Sequence, residues 1–345
     1  MSFAIFTDNA SNLPLSWLKG DDVHIIPFCY YIDGVEYKDL DIDNFDGPAF
    51  YNAMIAGTHV TTSQINPATY EEHFRNVLEE GKDMIYICMS SGISGAYQSS
   101  RIAVTELMEE FPDRKIYTID TRSASLAEGY FALLALECRE NGMTIDATKE
   151  LIESRVQNMC QVFTVDDLEY LRRGGRISNF KATVASILNI KPLLKGNELG
   201  QIVNFGTVRG RKKSIKALAD RYDKYVVNPS EQTVYIAHGN CQYDVEELKK
   251  LLNEKNPPKE IRSVMYEPVT GSHVGPGALA LFFMGREDFR TSMDYFFQIK
   301  VLSRAAYASQ CICADSVCSR DSCTFPYLQY RISWQRPFRC MLSSS

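Results

Sequence analysis

The chain has 345 residues, of which 45% are hydrophobic and 23% charged, as in soluble globular proteins large enough for two domains. Its formal net charge is −6, which argues against general nucleic-acid binding because that function needs a basic surface. The apolar runs are too short to span a membrane and the N-terminus does not resemble a secretory signal, so we expect a cytoplasmic protein with free thiols.

The first half of the chain predicts strands that alternate with helices. Strands are expected at residues 3–6, 24–32, 84–90 and 115–120, and helices at 67–81, 95–110 and 123–141. This order is typical of a parallel sheet with helices on its faces. Such sheets bind ligands at the carboxyl ends of their strands, where Asp8, the turn "SSGISG" and Asp120 are expected.

The pattern changes from about residue 160. Strands are expected within 161–165, 200–208, 233–240 and 263–269, and helices at 211–226 and 243–254. Strands without strict alternation predict an α+β domain with a mixed or antiparallel sheet. We therefore predict an N-terminal α/β domain over residues 1–158 and a C-terminal α+β domain over residues 159–285.

Residues 286–345 differ from the rest of the chain. They hold five of the ten cysteines, together with aromatic, arginine and serine residues that follow no sustained period. We interpret them as an atypical Cys-rich extension that is poorly ordered. A small metal knuckle is the alternative, although the cysteines lack the Cys-x-x-Cys spacing that zinc sites favour. We expect no metal site elsewhere.

The turn "SSGISGAY" at residues 90–97 is the first stretch that could carry chemistry. Its order of residues fits neither a nucleophile elbow nor a P-loop. The hydroxyls and free N–H groups of such a turn suit an anion, and a simple helix cap is an equal alternative. A hydrolase or transferase that uses Ser94 as its nucleophile is the alternative function.

Four further stretches place polar groups beside a turn or a helix start: "TTSQINP" at 61–67, "LEYLRRGGRIS" at 168–178, "VRGRKKSIKAL" at 208–218 and "GSHVGPGALALFF" at 271–283. The first two are also typical of a helix cap and of a helix that ends at a Gly-Gly turn with surface arginines. The third starts a helix with cations, which is unfavourable for the helix dipole; either a negative partner compensates their charge or they form a basic face exposed to solvent. The fourth offers an imidazole that could donate to an anion.

Together and in this order, these stretches resemble the DegV family of bacterial fatty-acid-binding proteins. Further matches are "FTDNASNLP", "VEYKDLDID", "YTIDTRSAS" and "LNIKPLL", and the resemblance extends over residues 3–285. It implies the two-domain α/β fold of that family (EDD-like), with a parallel sheet in the N-terminal domain and a mixed sheet in the C-terminal one. It implies no catalytic residue and no cofactor.

The resemblance also implies a function. Members of the family enclose a long-chain fatty acid between two domains, and some present its carboxylate to a kinase subunit that forms an acyl-phosphate for phospholipid synthesis. For this chain we expect a C14–C18 fatty acid as the ligand, the kinase subunit as a partner, and transient contact with the membrane surface for lipid exchange.

The family's motifs map onto particular residues of this sequence. Thr62, Ser94 and His273 are expected to bind the carboxylate, with Ser63, Arg172 or Arg173 close to it. Partner docking is expected at Arg209 and Arg211. Candidates for the apolar wall are Phe28, Tyr30, Ile93, Phe163, Ile187 and Leu188, for each of which plain core packing is an equal alternative.

Overall fold

The structure is a computed structural model that describes residues 3–18, 23–38, 42–177 and 189–292. Its first half contains seven strands within these ranges: β1 (Ala4–Asp8), β2 (Val23–Ile26), β3 (Cys29–Ile32), β4 (Val35–Tyr37), β5 (Val60–Ser63), β6 (Met84–Cys88) and β7 (Ile116–Asp120). The helices of this half are α1 (Gly47–Ile55), α2 (Pro67–Glu79), α3 (Ala96–Glu110), α4 (Leu126–Glu140) and α5 (Ile145–Arg155).

Four of these strands form a parallel sheet in the order β2-β1-β6-β7, which confirms the predicted architecture. Strands β1 and β6 are buried along their whole length, as expected when helices cover both faces. The carboxyl ends of β6 and β7 meet as predicted, because Ser91 Oγ, just after β6, donates to Asp120 Oδ2 at the end of β7 at 2.6 Å. The turn after β6 therefore lies at the edge of the sheet where ligands bind in this architecture.

The segment 24–32 forms two strands rather than the single one predicted. Pro27 separates β2 from β3, because proline has no N–H to donate to a continuous ladder. Strand β2 joins the parallel sheet, whereas β3 lies between β4 and β5 in a small antiparallel sheet. The register pairs Tyr30 with Thr62, so β3 holds the "TTSQ" stretch in place.

The second half has its own sheet. Its described strands are β8 (Met159–Thr164), β9 (Ile190–Gly196), β10 (Ile202–Arg209), β11 (Thr233–His238), β12 (Glu260–Met265) and β13 (Leu279–Met284), and its described helices are α6 (Glu169–Arg173), α7 (Arg211–Tyr225), α8 (Gln242–Lys255), α9 (Pro268–Val274) and α10 (Asp288–Thr291). The strand order is β10-β9-β8-β13-β11-β12, antiparallel except for the pair β11 and β12. This mixed sheet was predicted from the loss of strict alternation. The segment 263–269 is only partly strand, because Pro268 begins α9 there.

The two faces of the mixed sheet bury different residues. Along β13, Leu279, Leu281 and Phe283 pack in a core with side chains of α7 and α8. Ala280 and Phe282 point to the opposite face, because side chains alternate along a strand. That second face lies towards the first half of the chain and forms one wall of the cavity described below.

All described residues belong to one compact unit, and the domain boundary at residues 158–159 stays a prediction. Residues 286–292, assigned to the extension from sequence, take part in this fold, since Phe289 and Arg290 are buried. Lys195 Nζ donates to the Phe289, Arg290 and Ser292 carbonyls, which fixes this segment against β9. The rest of the predicted extension, residues 293–345, lies outside the described residues, as do its five cysteines.

The structure also bears on disulfides, membrane-spanning helices and metal sites. The described cysteines, Cys29, Cys88, Cys138, Cys160 and Cys241, are free thiols. No helix in the part of the chain that the structure describes is both long and apolar enough to span a bilayer. Over the same residues, no group of three or more His, Cys, Asp or Glu side chains is arranged to hold a metal ion.

Candidate functional site

A cavity of about 930 Å³, including its mouth, lies between the carboxyl edge of the parallel sheet and one face of the mixed sheet. Most of its wall is apolar, and polar side chains are grouped in two places. The apolar residues of the wall are Phe28, Met89, Ile93, Ala124, Phe163, Leu171, Ile202, Tyr266, Val269, Val274, Ala280 and Phe282. Its lining, mostly apolar with a few grouped polar side chains, is typical of a site for a largely apolar ligand.

Helix α9 forms the part of the wall that carries His273, and both halves of the chain hold its start. Glu267 caps the helix by accepting hydrogen bonds from the Val269 and Thr270 amides. Asn12 accepts from the Glu267 amide at 3.0 Å, and Tyr51 donates to the Tyr266 carbonyl at 3.0 Å. Since buried hydrogen bonds from two separate segments fix it, α9 is a rigid base for a functional side chain.

His273 is joined to Thr62, which lies on β5 in the other half of the chain. Their Nε2 and Oγ1 atoms are 2.8 Å apart. Burial and, second, the positive charge of Arg176 lower the pKa of His273 to about 4. The imidazole is therefore neutral at pH 7, and one ring nitrogen donates while the other accepts. Sequence reasoning placed both residues at one site, and the structure brings them into direct contact.

Ser94 lies on the same cavity, together with Ser63 and Gln64. The Ser94 hydroxyl accepts a hydrogen bond from the Ala96 amide at 3.2 Å, at the start of α3. No His, Asp or Glu side chain among the described residues forms a hydrogen bond with Ser94 Oγ. A serine nucleophile needs such a base to take its proton. The arrangement provides hydroxyls and a neutral imidazole for an acceptor group, but not an activated nucleophile.

The Gly-Gly turn after α6 has two separate roles. Gly175 has φ +70, the left-handed conformation that favours glycine. Gly174 has an ordinary helical φ of −70, but a Cβ there would lie 2.3 Å from His273 Nδ1. The absence of a side chain at Gly174 therefore lets the turn pack against the imidazole.

Arg176 is the site residue that the sequence-based assignment missed. Its Nε donates to the Ile93 carbonyl at 3.1 Å, so it connects the Gly-Gly turn to the turn that carries Ser94. Burial lowers its pKa, although arginine remains protonated at pH 7. No carboxylate among the described residues forms an ion pair with Arg176. The sequence signal was its place among three arginines around the glycines, which did not tell them apart.

Arg172 and Arg173, the arginines expected near the carboxylate, point in different directions. The exposed Arg172 is paired with Glu169 through two 2.7 Å hydrogen bonds and is not part of the cavity wall. Arg173 lies over the Tyr170 ring and lines a second pocket of about 640 Å³. This pocket shares Thr62, Arg176 and His273 with the main cavity. The roles predicted for both arginines stay predictions.

The basic segment at residues 209–213 lies elsewhere. Arg209 is the exposed last residue of β10. Arg211 begins α7 and donates to Asp244 at 2.9 Å, with Asp166 at 3.5 Å, so carboxylates within the chain already compensate its charge. Partner docking at Arg209 and Arg211 stays a prediction.

The six residues predicted as candidates for the apolar wall divide into three groups. Phe28, Ile93 and Phe163 line the cavity. Tyr30 is buried in the core, where it stacks on Tyr37, and does not line the cavity. Ile187 and Leu188 lie outside the described residues. The wall residues Ala280 and Phe282 were not predicted, because the face of a buried strand that borders a cavity has no local signature.

Comparison with known proteins tests the resemblance to the DegV family. The family model described as "Uncharacterised protein, DegV family" matches residues 2–286. A DegV domain-containing protein of Clostridium perfringens is 42% identical over 287 residues, which cover 82% of this chain and 97% of that protein.

Solved structures are similar over the same region. A DegV family protein of Ruminococcus gnavus with vaccenic acid has a TM-score of 0.74 at 25% identity, covering 82% of this chain and 99% of that one. A fatty acid binding DegV family protein of Streptococcus agalactiae has a TM-score of 0.72 at 29% identity, covering 83% and 99%. These matches confirm the resemblance and the α/β fold that the sequence predicts. The chain belongs to the DegV family.

Proposed function

We propose that the protein binds one long-chain fatty acid, with its tail in the main cavity and its carboxylate at Thr62, Ser94 and His273. One observation carries this proposal. The wall of the mostly apolar cavity also holds these polar groups, which come from both halves of the chain. The fatty acid binding of the Streptococcus agalactiae relative supports the same ligand class.

The energetics favour a tightly held tail. Each buried CH₂ contributes about 0.8 kcal/mol, so a chain of roughly 15 methylenes offers on the order of 12 kcal/mol before ordering costs. Burial of the carboxylate is costly unless hydrogen bonds compensate it. The Ser94 hydroxyl is able to donate such a bond, and so is one member of the hydrogen-bonded pair of Thr62 and His273, whose other proton is used within the pair. Arg176 adds a positive charge beside them.

We further propose that the protein carries its ligand in the cytoplasm, does not transform it, and presents the carboxylate to a kinase subunit. The second pocket supports this proposal, because it adjoins Thr62 and His273, and its described lining includes Arg173 and Arg176 but no Asp or Glu. A phosphoryl donor that approaches there would meet a positive environment. The exposed Arg209 is the proposed docking residue for this partner.

Reconstitution with a fatty acid kinase subunit tests this function. Protein loaded with palmitate, the kinase subunit and MgATP should yield acyl-phosphate, which hydroxylamine traps as the hydroxamate. Each partner alone should yield none. Absence of hydroxamate while palmitate binding is intact would refute the presentation to a kinase and leave fatty acid binding in place.

A serine-directed fluorophosphonate probe separates this function from the hydrolase alternative. We expect no labelling of Ser94, because no base forms a hydrogen bond with its hydroxyl among the described residues. A serine hydrolase of known activity serves as the positive control. Stoichiometric labelling at Ser94 would favour the enzyme over the carrier.

Substitution of Gly174 tests how the site holds His273. In the Gly174→Ala variant the new Cβ would lie 2.3 Å from His273 Nδ1, so we expect the imidazole to turn away from Thr62. Loss of one hydrogen bond to a charged group should weaken palmitate binding about tenfold. Since Gly174 has a helical φ, the backbone should tolerate alanine, and the unfolding temperature should fall only by about as much as loss of the Thr62–His273 hydrogen bond lowers it in a Thr62→Ala variant. Isothermal titration and thermal unfolding measure the two effects.

A double-mutant cycle provides the control for that variant. In a His273→Ala background the imidazole is absent, so Gly174→Ala should have no further effect on palmitate affinity. An equal loss of affinity with and without His273 would mean that Gly174 acts through something other than the imidazole.

A further inference from the structure

The cavity has a second group of polar residues, apart from the Thr62, Ser94 and His273 site. It consists of Arg122, Ser123, Ser125 and Gln161, from the segment after β7 and from β8. No hydrogen bond in the described structure joins this group to Thr62, Ser94 or His273. A polar side chain in the wall of a hydrocarbon tunnel is costly unless a hydrogen bond satisfies it.

Most of this second group is satisfied within the protein. Gln161 accepts from the Ala124 amide at 3.1 Å and donates to the Arg122 carbonyl at 3.1 Å. The Ser123 hydroxyl donates to the Thr121 carbonyl at 2.9 Å and accepts from Arg290 at 3.2 Å. These bonds hold residues 121–125 firmly in the cavity wall.

Ser125 is the exception. It is 2% exposed, lines the cavity, and its Oγ has no hydrogen-bond partner among the described residues. An unsatisfied buried hydroxyl destabilises the folded state. Alanine at this position would avoid that cost, so the hydroxyl is a feature that the fold alone does not need.

The backbone at Ser125 strengthens this argument. Ser125 precedes α4 at the position where serine usually caps a helix, yet its hydroxyl makes no cap hydrogen bond. Its φ of 56 and ψ of −143 fall in a region that non-glycine residues rarely adopt. Such strain is typical of sites where a side chain is held for a ligand. Serine rotamers exchange readily, so the hydroxyl is able to turn to a partner in the cavity.

We propose that Ser125 forms a second polar subsite, which accepts a hydroxyl group on the acyl chain of the ligand, so that the cavity takes hydroxy fatty acids as well as plain ones. This inference rests on the proposed fatty acid binding and adds to it the class of chain that the wall recognises. The ligand hydroxyl would supply the hydrogen bond that Ser125 Oγ lacks within the protein. The strongest binder should be the isomer whose hydroxyl reaches Ser125 when its carboxylate is bound at Thr62.

The test compares stearate with 10-, 12- and 18-hydroxystearate by isothermal titration, with delipidated wild-type protein and the Ser125→Ala variant. At least one hydroxy acid should lose about fivefold to tenfold in affinity on Ser125→Ala, whereas stearate affinity stays equal or rises. Ser99→Ala is the matched control, because Ser99 is also buried but donates to the Ile65 carbonyl and does not line the cavity. It should leave the ratio of the two affinities unchanged.

Each result is decisive. Stearate binding without any hydroxy acid that depends on Ser125 would overturn this inference and leave the proposed function intact. The same would follow if Ser125→Ala weakened stearate and the hydroxy acids equally. Failure of all four acids to bind the wild-type protein would overturn both the inference and the proposed function.

Discussion

Replacement of Thr62 and Ser94 together by alanine should weaken palmitate binding by about 100-fold or more, because each hydrogen bond to a charged group is worth about 1.5–3 kcal/mol. Both hydroxyls lie on the cavity wall. The loss should be larger than for either single variant. Titration of delipidated protein with palmitate measures the loss.

The Thr62→Ala, Ser94→Ala variant should also be less stable than the wild-type protein. Removal of the Thr62 hydroxyl leaves His273 Nε2 without its 2.8 Å partner in a buried place, so the ligand-free protein should unfold at a lower temperature than wild type. The matched control is Ser91→Ala with Thr69→Ala. Ser91 belongs to the same turn but donates to Asp120, and both control residues lie outside the cavity wall. Unchanged palmitate affinity in the Thr62 and Ser94 variant would rule out the proposed carboxylate site.

A bulky side chain in the wall should exclude the tail. Ala280 is buried on β13, on the sheet face that borders the cavity, beside Phe163 of β8. In the Ala280→Phe variant the ring would occupy part of the space proposed for the alkyl chain. Displacement of about four methylenes, at about 0.8 kcal/mol each, would cost roughly 3 kcal/mol, or on the order of 200-fold in stearate affinity.

The dependence on chain length identifies the cause of this effect. If the ring displaces only the far part of the tail, the affinity of the shorter octanoate should fall much less than that of stearate. Ala280→Ser, which adds a single oxygen atom, is the control for the position and should retain most of the stearate affinity. An equal loss for octanoate and stearate would indicate general disruption of the fold. Full stearate affinity in the phenylalanine variant would place the tail elsewhere.

The sequence predicted the architecture well because its strongest signals are local. Alternation of apolar strands with amphipathic helices predicts the parallel sheet, and its loss after residue 160 predicts the mixed one. The errors also have local causes. The sequence predicts one strand over residues 24–32, whereas Pro27 divides them between two sheets, and the short helices α1 and α5 lack a strong apolar period.

The candidate site was predicted only in part, because its geometry depends on contacts between distant segments. The motifs of the family identified Thr62, Ser94 and His273, and the structure brings all three to one cavity. The sequence did not separate Arg176 from its neighbours Arg172 and Arg173. That distinction depends on the direction of each guanidinium on the two sides of the Gly-Gly turn, and for Arg176 the 3.1 Å hydrogen bond to the Ile93 carbonyl fixes it.

The central claim is that an alkyl chain occupies the space between the two sheets, and its most direct test is chemical. Protein purified from a bacterial host is denatured and extracted with organic solvent, and the extract is quantified by mass spectrometry. We predict nearly one C14–C18 fatty acid per chain from the wild-type protein and very little from Ala280→Phe. A wild-type extract without fatty acid, or equal amounts from both proteins, would contradict the claim.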